Sequence, residues 1–351
     1  MPISRCDRRY RPPRYRCRLC GLLLAAAAIA PAPAAQWHHQ QREMMGTRIS
    51  IDVEHADAAL AADCSERVFA EMRRVEALMS TYREDSEISR VNDQAAAGDV
   101  EISTELASLI ASSIRFSRLS AGVFDITYAS IGYAYDFRQQ RQPDAATLAA
   151  RLPAVDYRHI ELSDNRIHFS RAGVRIDLGG IAKGYAVDRA AEITRRCGIT
   201  RAMISAGGDS RIIGDRDGRP WMIGIRHPRE AGGIALRLPL SDTAISTSGD
   251  YERYFMADGE RIHHILNPAT GRPSQSSWSA TVIGPDAMTT DALSTTIFIL
   301  GADDGIALIE KLEGFDAIVI DSSGKVHYSS GFEEPDAVPT QTPEPLADEN
   351  E

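Results

Sequence analysis

Cysteine is scarce in this chain. Of five cysteines in 351 residues, Cys6, Cys17 and Cys20 stand near the amino terminus, and only Cys64 and Cys197 stand in the remainder. Two cysteines cannot make a disulfide framework. The CRLC pair has no second pair to complete a zinc site. For Cys64 and Cys197, two separate buried thiols are preferred over one disulfide. A long apolar run is also missing: GLLLAAAAIA, at 21–30, is too short for a transmembrane helix, which needs about 20 residues. Positive charge is in deficit, with a net charge of −10. The first 35 residues carry seven positive charges and one negative, so their removal would take the net charge to −16. That balance disfavours nucleic-acid binding, whose footprint is a basic patch. No internal repeat occurs, and helical and strand patterns do not alternate regularly, which argues against a doubly wound sheet.

Ordinary core material is present, with 43% hydrophobic and 25% charged residues. The amino terminus reads as a secretory leader over residues 1–35: a basic stretch, the short apolar run, then PAPAAQ with small residues at Ala32 and Ala34. Arg8 and Arg9 hint at twin-arginine export. No cysteine follows the apolar run, so no lipid-attachment site is seen. The expected location is therefore exported and periplasmic. The main domain is expected over 36–330. Residues 331–351 read as an acidic, disordered tail; from Glu333 onward it holds seven acids, four prolines and no base.

Periodicity predicts a first strand over 44–55 and helices over 58–79 and 104–119. Ser86 is a plausible N-cap for a short helix. The aromatic, glycine-punctuated stretch AGVFDITYASIGYAYDF reads as a loop. Short strands are expected within 157–181, among them 174–178. A helix follows over 181–197, ending at Gly198. The second half is strand-rich, with a helix over 289–300 and a final hairpin. The fold class is α+β.

Several stretches could carry chemistry. In IDLGGIAKGYAVD, at 176–188, a strand-like run leads through Gly179 and Gly180 into a helix with Lys183 in its first turn. A helix start of this kind favours an anion, but a plain strand-to-helix turn is an equal reading, and the pattern is neither G-x-G-x-x-G nor Walker A. In DALST, Asp291 and Thr295 share one helix face and are hard oxygen donors suited to Mg²⁺; helix capping by Asp291 explains the same residue. On a strand, only one of His263 and His264 faces a given side, and a histidine there is either a base or a satisfied structural group. SAGGDS and STSGDYERYF offer backbone nests or hairpin turns. Tyr82 and Phe124 would flank a planar ring or fill a core.

Taken in series, MGT, MSTYREDSEISRVN, GVFDIT, IDLGGIAKGYAVDRA, SAGGD, ISTSGDYERYF, HHILNPATGRP and TDALSTT resemble the ApbE family of FAD:protein FMN transferases, over roughly 45–320. The resemblance implies mixed sheets with packed helices in two lobes and an active site in the cleft between them. It implies FAD as substrate and Mg²⁺ as cofactor. FMN would pass to a threonine or serine hydroxyl of an acceptor flavoprotein, forming a phosphoester and releasing AMP. Those acceptors would bring the protein to the inner membrane. FAD contacts are implied for Met45, Tyr82, Val123, Phe124, Asp125, Asp177, Lys183 and the backbone at Ile265. Metal ligands are implied at Asp291, Thr295 and the Gly180 carbonyl. His264, with Asp291, is the implied catalytic residue. Departures from the family pattern are Asn267 in place of an acid that would orient the histidine, Ser294 beside the metal position, and Ile126 in place of a proline.

Overall fold

The computed structural model describes residues 34–332. The leader and the acidic tail expected from the sequence fall outside them, apart from their inner ends. Residues 35–332 pack as one unit, so the two expected lobes are parts of a single packed body. The α+β expectation holds.

The frame is an eight-stranded sheet made of β1 (Gln36–Met44), β2 (Thr47–His55), β3 (Ala202–Ala206), β4 (Asp209–Ile213), β5 (Ala244–Gly249), β6 (Ser277–Gly284), β7 (Asp316–Asp321) and β8 (Val326–Tyr328). Each strand pairs antiparallel with the next one in this order. The helices lie in the connections. Between β2 and β3 come α1 (Ala58–Met79), α2 (Thr104–Leu119) and α3 (Ala182–Arg196), and between β6 and β7 comes α4 (Ala287–Leu300). Helices α1, α3 and α4 pack side by side against the sheet. Ile49, Ile51, Val53, Ala202 and Ile204 from the strands meet Val68, Phe69, Met72, Val187 and Ala190 from the helices in one core. Each large side chain buried there contributes about 1.5–3 kcal/mol. A ribbon of Trp221–Arg226 and Ile234–Leu240 sets Ile225 and Leu238 against Ile245 and Ile318 in a second cluster.

Three expectations change. The strand predicted over 44–55 is the second arm of a hairpin whose first arm is β1. All of β1 is exposed or half-buried, so its sequence shows no alternation to read. Met45 and Gly46 form the two-residue turn, with φ of 55° and 69°, the left-handed pair that matches the twist of a hairpin. Met45 holds this conformation without glycine's freedom, and its N–H donates to the Glu76 carboxylate at 2.9 Å. Residues 174–178 form no strand. Their backbone bonds go to side chains and a loop: Asn92 brackets the Ile176 N–H and C=O at 2.7 and 2.8 Å, Ser130 accepts from the Arg175 N–H at 3.0 Å, and the Ile126 carbonyl accepts from the Asp177 N–H. The aromatic loop contains two short turns of helix, Ile126–Tyr128 and Ala129–Gly132, and Ile126 is buried in the core.

The cysteines also differ from expectation. Cys64 in α1 and Cys197 at the end of α3 form a disulfide, with Cα atoms 6.1 Å apart. The side-by-side packing of α1 and α3 brings them together, a contact that a separation of 133 residues conceals in the sequence. A loop of this length gains about 5 kcal/mol on the chain-entropy account. Cys64→Ser is expected to lower the unfolding free energy by about 2–5 kcal/mol. Urea melts with and without dithiothreitol check this: reductant should move the wild-type midpoint and leave that of Cys64→Ser unchanged.

Candidate active site

The site is assembled where the starts of α3 and α4 meet. Helix α3 has no side-chain cap of its own, so its first N–H groups need outside partners. The Gly184 N–H donates to Asp291 Oδ2 of α4 at 2.9 Å. In return Asp188 of α3 accepts from the Ala287 and Met288 N–H groups at the start of α4, at 2.9 and 2.8 Å. Each helix thus supplies a carboxylate to the positive end of the other. Asp291 does cap a helix, but not its own, which is capped by Asp286. The approach is close: a Cβ on Gly184 would lie 2.1 Å from the Ala287 carbonyl oxygen and 2.8 Å from the Asp291 Cβ.

This contact places Lys183 between two carboxylates. Its ammonium lies 2.5 Å from Asp209 Oδ2 and 3.5 Å from Asp291 Oδ1. Asp209 and Asp291 are each 2% exposed. Burial alone would pull the lysine down, but the two carboxylates outweigh it and hold the ammonium charged. For Asp291, burial first and the Asp209 charge second raise the carboxyl above its ordinary range. Lys183 is one of three lysines among 39 basic residues. A compact ammonium with rotatable donors fits between two carboxylates and a ligand oxygen in a way a planar guanidinium does not.

One helical turn after Asp291 stands Thr295. Its hydroxyl is 3.2 Å from Ser248 Oγ, which also meets Ser294 Oγ at 2.9 Å. Ser294 therefore supports this row of hydroxyls. Gly180 faces the same place: a Cβ on it would stand 3.2 Å from the Phe124 ring and 3.5 Å from Thr295 Oγ1. Thr295 Oγ1 and the backbone at Gly180 are thus neighbours, one helical turn along α4 from Asp291. Hard oxygens beside two carboxylates that share one lysine fit a divalent cation completed by ligand phosphates. No cluster of three histidine, cysteine or acidic residues occurs among the described residues, so protein side chains alone do not complete a shell.

Asp177 accepts from Thr81 Oγ1 at 2.9 Å and from the Gly179 N–H at 2.6 Å, with the Tyr128 hydroxyl 3.7 Å from where a Gly179 Cβ would sit. Tyr82 is 77% exposed, and its hydroxyl accepts from Arg253 at 2.9 Å. His264 follows the strand Glu260–His263. Its Nδ1 lies 3.3 Å from the Arg253 carbonyl, which leaves Nε2 as the free acceptor. Desolvation, followed by the Arg253 guanidinium, pushes the imidazole down to about 3, and the Lys183 charge contributes in the same direction. His264 is thus neutral at ordinary pH. His263 points the other way, bonded to the Ser274 carbonyl at 2.7 Å and edge-on to Phe298.

Other expected residues have the following partners within the protein. The Asp125 carboxylate accepts from the Thr127 N–H and hydroxyl and from the Tyr157 N–H. The Ile265 N–H donates to His263 Nδ1, and its carbonyl accepts from the Ser274 N–H. Val123 is half-buried against a hydrophobic cluster. Asn267 accepts from the Ala269 N–H at 2.9 Å, capping its own turn, so its side-chain oxygen does not orient His264. Asp209, Ser248, Tyr128 and Arg253 were not singled out as site residues by the sequence. Asp209 closes SAGGD, whose acid after two glycines was the available signal.

Residues 45–319 match the ApbE family. The chain belongs to the ApbE family. It is 32% identical over 324 residues to the FAD:protein FMN transferase of Vibrio cholerae, covering 90% of this chain and 96% of that one. It is 36% identical over 259 residues to the Haemophilus influenzae protein of the same name, covering 70% and 75%. Among solved structures, the ApbE protein of Thermotoga maritima aligns with a TM-score of 0.78 and 34% identity over 84% of this chain and 98% of that one. The flavin transferase ApbE from Vibrio cholerae aligns at 0.75 and 31%, over 85% and 98%. In this ApbE chain the α3–α4 contact admits no side chain at position 184. Gly184→Ala is expected to cost about 1–3 kcal/mol in urea unfolding. An unchanged midpoint would show that the helices separate freely.

Proposed function

We propose that this protein is an FAD:protein FMN transferase that moves FMN from FAD to a threonine or serine hydroxyl of an acceptor flavoprotein. The observation that carries the reading is the buried cluster of Lys183, Asp209 and Asp291 at the start of α3, one helical turn from Thr295 and its neighbour Gly180, in a chain aligned over most of its length with named FAD:protein FMN transferases.

In this reading the adenine-linked pyrophosphate lies over the start of α3. Lys183 draws the phosphate oxygens in and balances their charge. Mg²⁺ held by Asp291, Thr295 and the Gly180 carbonyl would supply charge neutralisation at the pyrophosphate. The acceptor hydroxyl attacks the phosphorus of the FMN half, and a new P–O bond forms. The bond from that phosphorus to the oxygen of AMP breaks, and AMP leaves with the electron pair. Neutral His264 takes the hydroxyl proton at Nε2. The exposed Tyr82 and the Met45–Gly46 turn border the space for the ring systems.

Export to the periplasm is part of the proposal. The basic, then apolar, then small-residue leader supports it, and so does a disulfide between Cys64 and Cys197, a bond that persists in oxidising compartments. The acceptors would then be redox proteins at the inner membrane.

Intact mass after incubation with FAD, Mg²⁺ and an acceptor flavoprotein domain tests the reaction. An acceptor gaining one FMN is the expected result. Free FMN and AMP without an adduct would make the protein a pyrophosphatase, and unchanged FAD would make it a flavin binder. His264→Ala should slow adduct formation by about 10²-fold or more. The cation site has a separate readout. Millimolar Mg²⁺ is expected to raise the wild-type thermal midpoint by about 2–4 °C. Asp291→Asn, which keeps a carbonyl for the Gly184 N–H, should lose that shift; an equal shift in the variant would place the cation elsewhere.

A further inference from the structure

The side chain of Arg253 joins two elements, and its main chain holds a third. Nη1 donates to the Tyr82 hydroxyl at 2.9 Å. Nη2 is the atom a Cβ on Gly46 would meet, at 3.7 Å, which sets the guanidinium beside the Met45–Gly46 turn. Its carbonyl accepts from the His264 N–H at 3.2 Å and lies 3.3 Å from His264 Nδ1. The hydrogen bonds are separable, because one belongs to the side chain and the others to the backbone; the guanidinium charge also helps to hold His264 neutral.

Tyr82 needs such a partner. A ring 77% exposed has little packing to fix its rotamer, and a mobile ring must be ordered when a ligand stacks on it, at a cost in affinity. A guanidinium suits the task because its planar fork presents separate N–H edges, one to the hydroxyl and one to the turn. Lysine offers a single point of attachment.

We infer that Arg253 is a positioning residue for FAD: its guanidinium holds the Tyr82 ring upright beside the Met45–Gly46 turn, so that a planar ring system enters between preset walls. The inference rests on the reading that FAD is the substrate. It makes Arg253 act on binding through Tyr82, and it leaves the chemical step to His264, whose carbonyl partner survives any change of side chain at position 253.

A double-mutant cycle of Arg253→Ala and Tyr82→Phe tests this, with FAD affinity from flavin fluorescence titration and with KM and kcat from adduct formation. Each single change is expected to weaken FAD binding about tenfold, the loss of one hydrogen bond to a charged group. The double variant should be no weaker than either single one, because both remove the same contact. At pH 8, where His264 is neutral with or without the neighbouring guanidinium, the kcat at saturating FAD should stay within about threefold of wild type. Arg253→Lys should recover only part of the affinity. Multiplying effects in the double variant, unchanged affinity in Arg253→Ala, or a fall in kcat at constant affinity would each overturn the inference. If the wild-type protein itself fails to bind FAD, the substrate reading falls and the inference falls with it. Wild-type binding that ignores Arg253 removes the inference alone.

Discussion

The site depends on two helix ends that complete each other. Asp291 of α4 satisfies a bare N–H of α3, and Asp188 of α3 satisfies two of α4. Such a pair cannot drift apart without leaving buried donors unpartnered, which costs about 1–3 kcal/mol each. Gly184 sets the spacing, since its missing side chain lets the carbonyl of Ala287 come close. The same carboxylate that holds the helices together presents its second oxygen to Lys183. Asp291 therefore serves two partners, and this dual use explains why a residue legible as a cap also stands beside Lys183.

Charge balance at that centre is deliberately incomplete. Two buried carboxylates face one ammonium, so the protein atoms carry a local surplus of negative charge. Under the proposed function a cation would relieve this surplus, and a phosphate would find both the cation and Lys183 to oppose its own charge. The neutral His264, with one nitrogen turned to a backbone carbonyl, adds a proton acceptor without adding charge.

What could be read in the sequence followed physical rules. The helices over 58–79 and 104–119 appear at the predicted bounds, because long amphipathic repeats bury one face and expose the other. Strand β1 escaped notice because it buries nothing. Residues 174–178 looked like a strand because they are apolar, but Asn92 and Ser130 take the bonds a neighbouring strand would have made. The site residues separate in the same way. Asp291 and Thr295 were legible through helical spacing, and Lys183 through its place after the glycines. Arg253 and Ser248 were not, since their partners Tyr82 and Thr295 lie 171 and 47 residues away. The bridge between Cys64 and Cys197 was hidden for the same reason.

The order of the sheet carries one further consequence. Every strand pairs with its successor in the chain, so each connection begins and ends on adjacent rungs of one ladder. Lengthening or exchanging a connection leaves the register of the frame intact, because no strand has to cross another to reach its place. Lys183, Asp291 and Thr295 come from the helices α3 and α4, and Asp209 and Ser248 from the strands β4 and β5 themselves, while the ribbon of Trp221–Arg226 and Ile234–Leu240 hangs from the connection between those two strands. That ribbon can therefore vary while the register of β4 and β5, and with it the placement of Asp209 and Ser248, stays fixed, which makes the frame a chassis on which peripheral parts change independently.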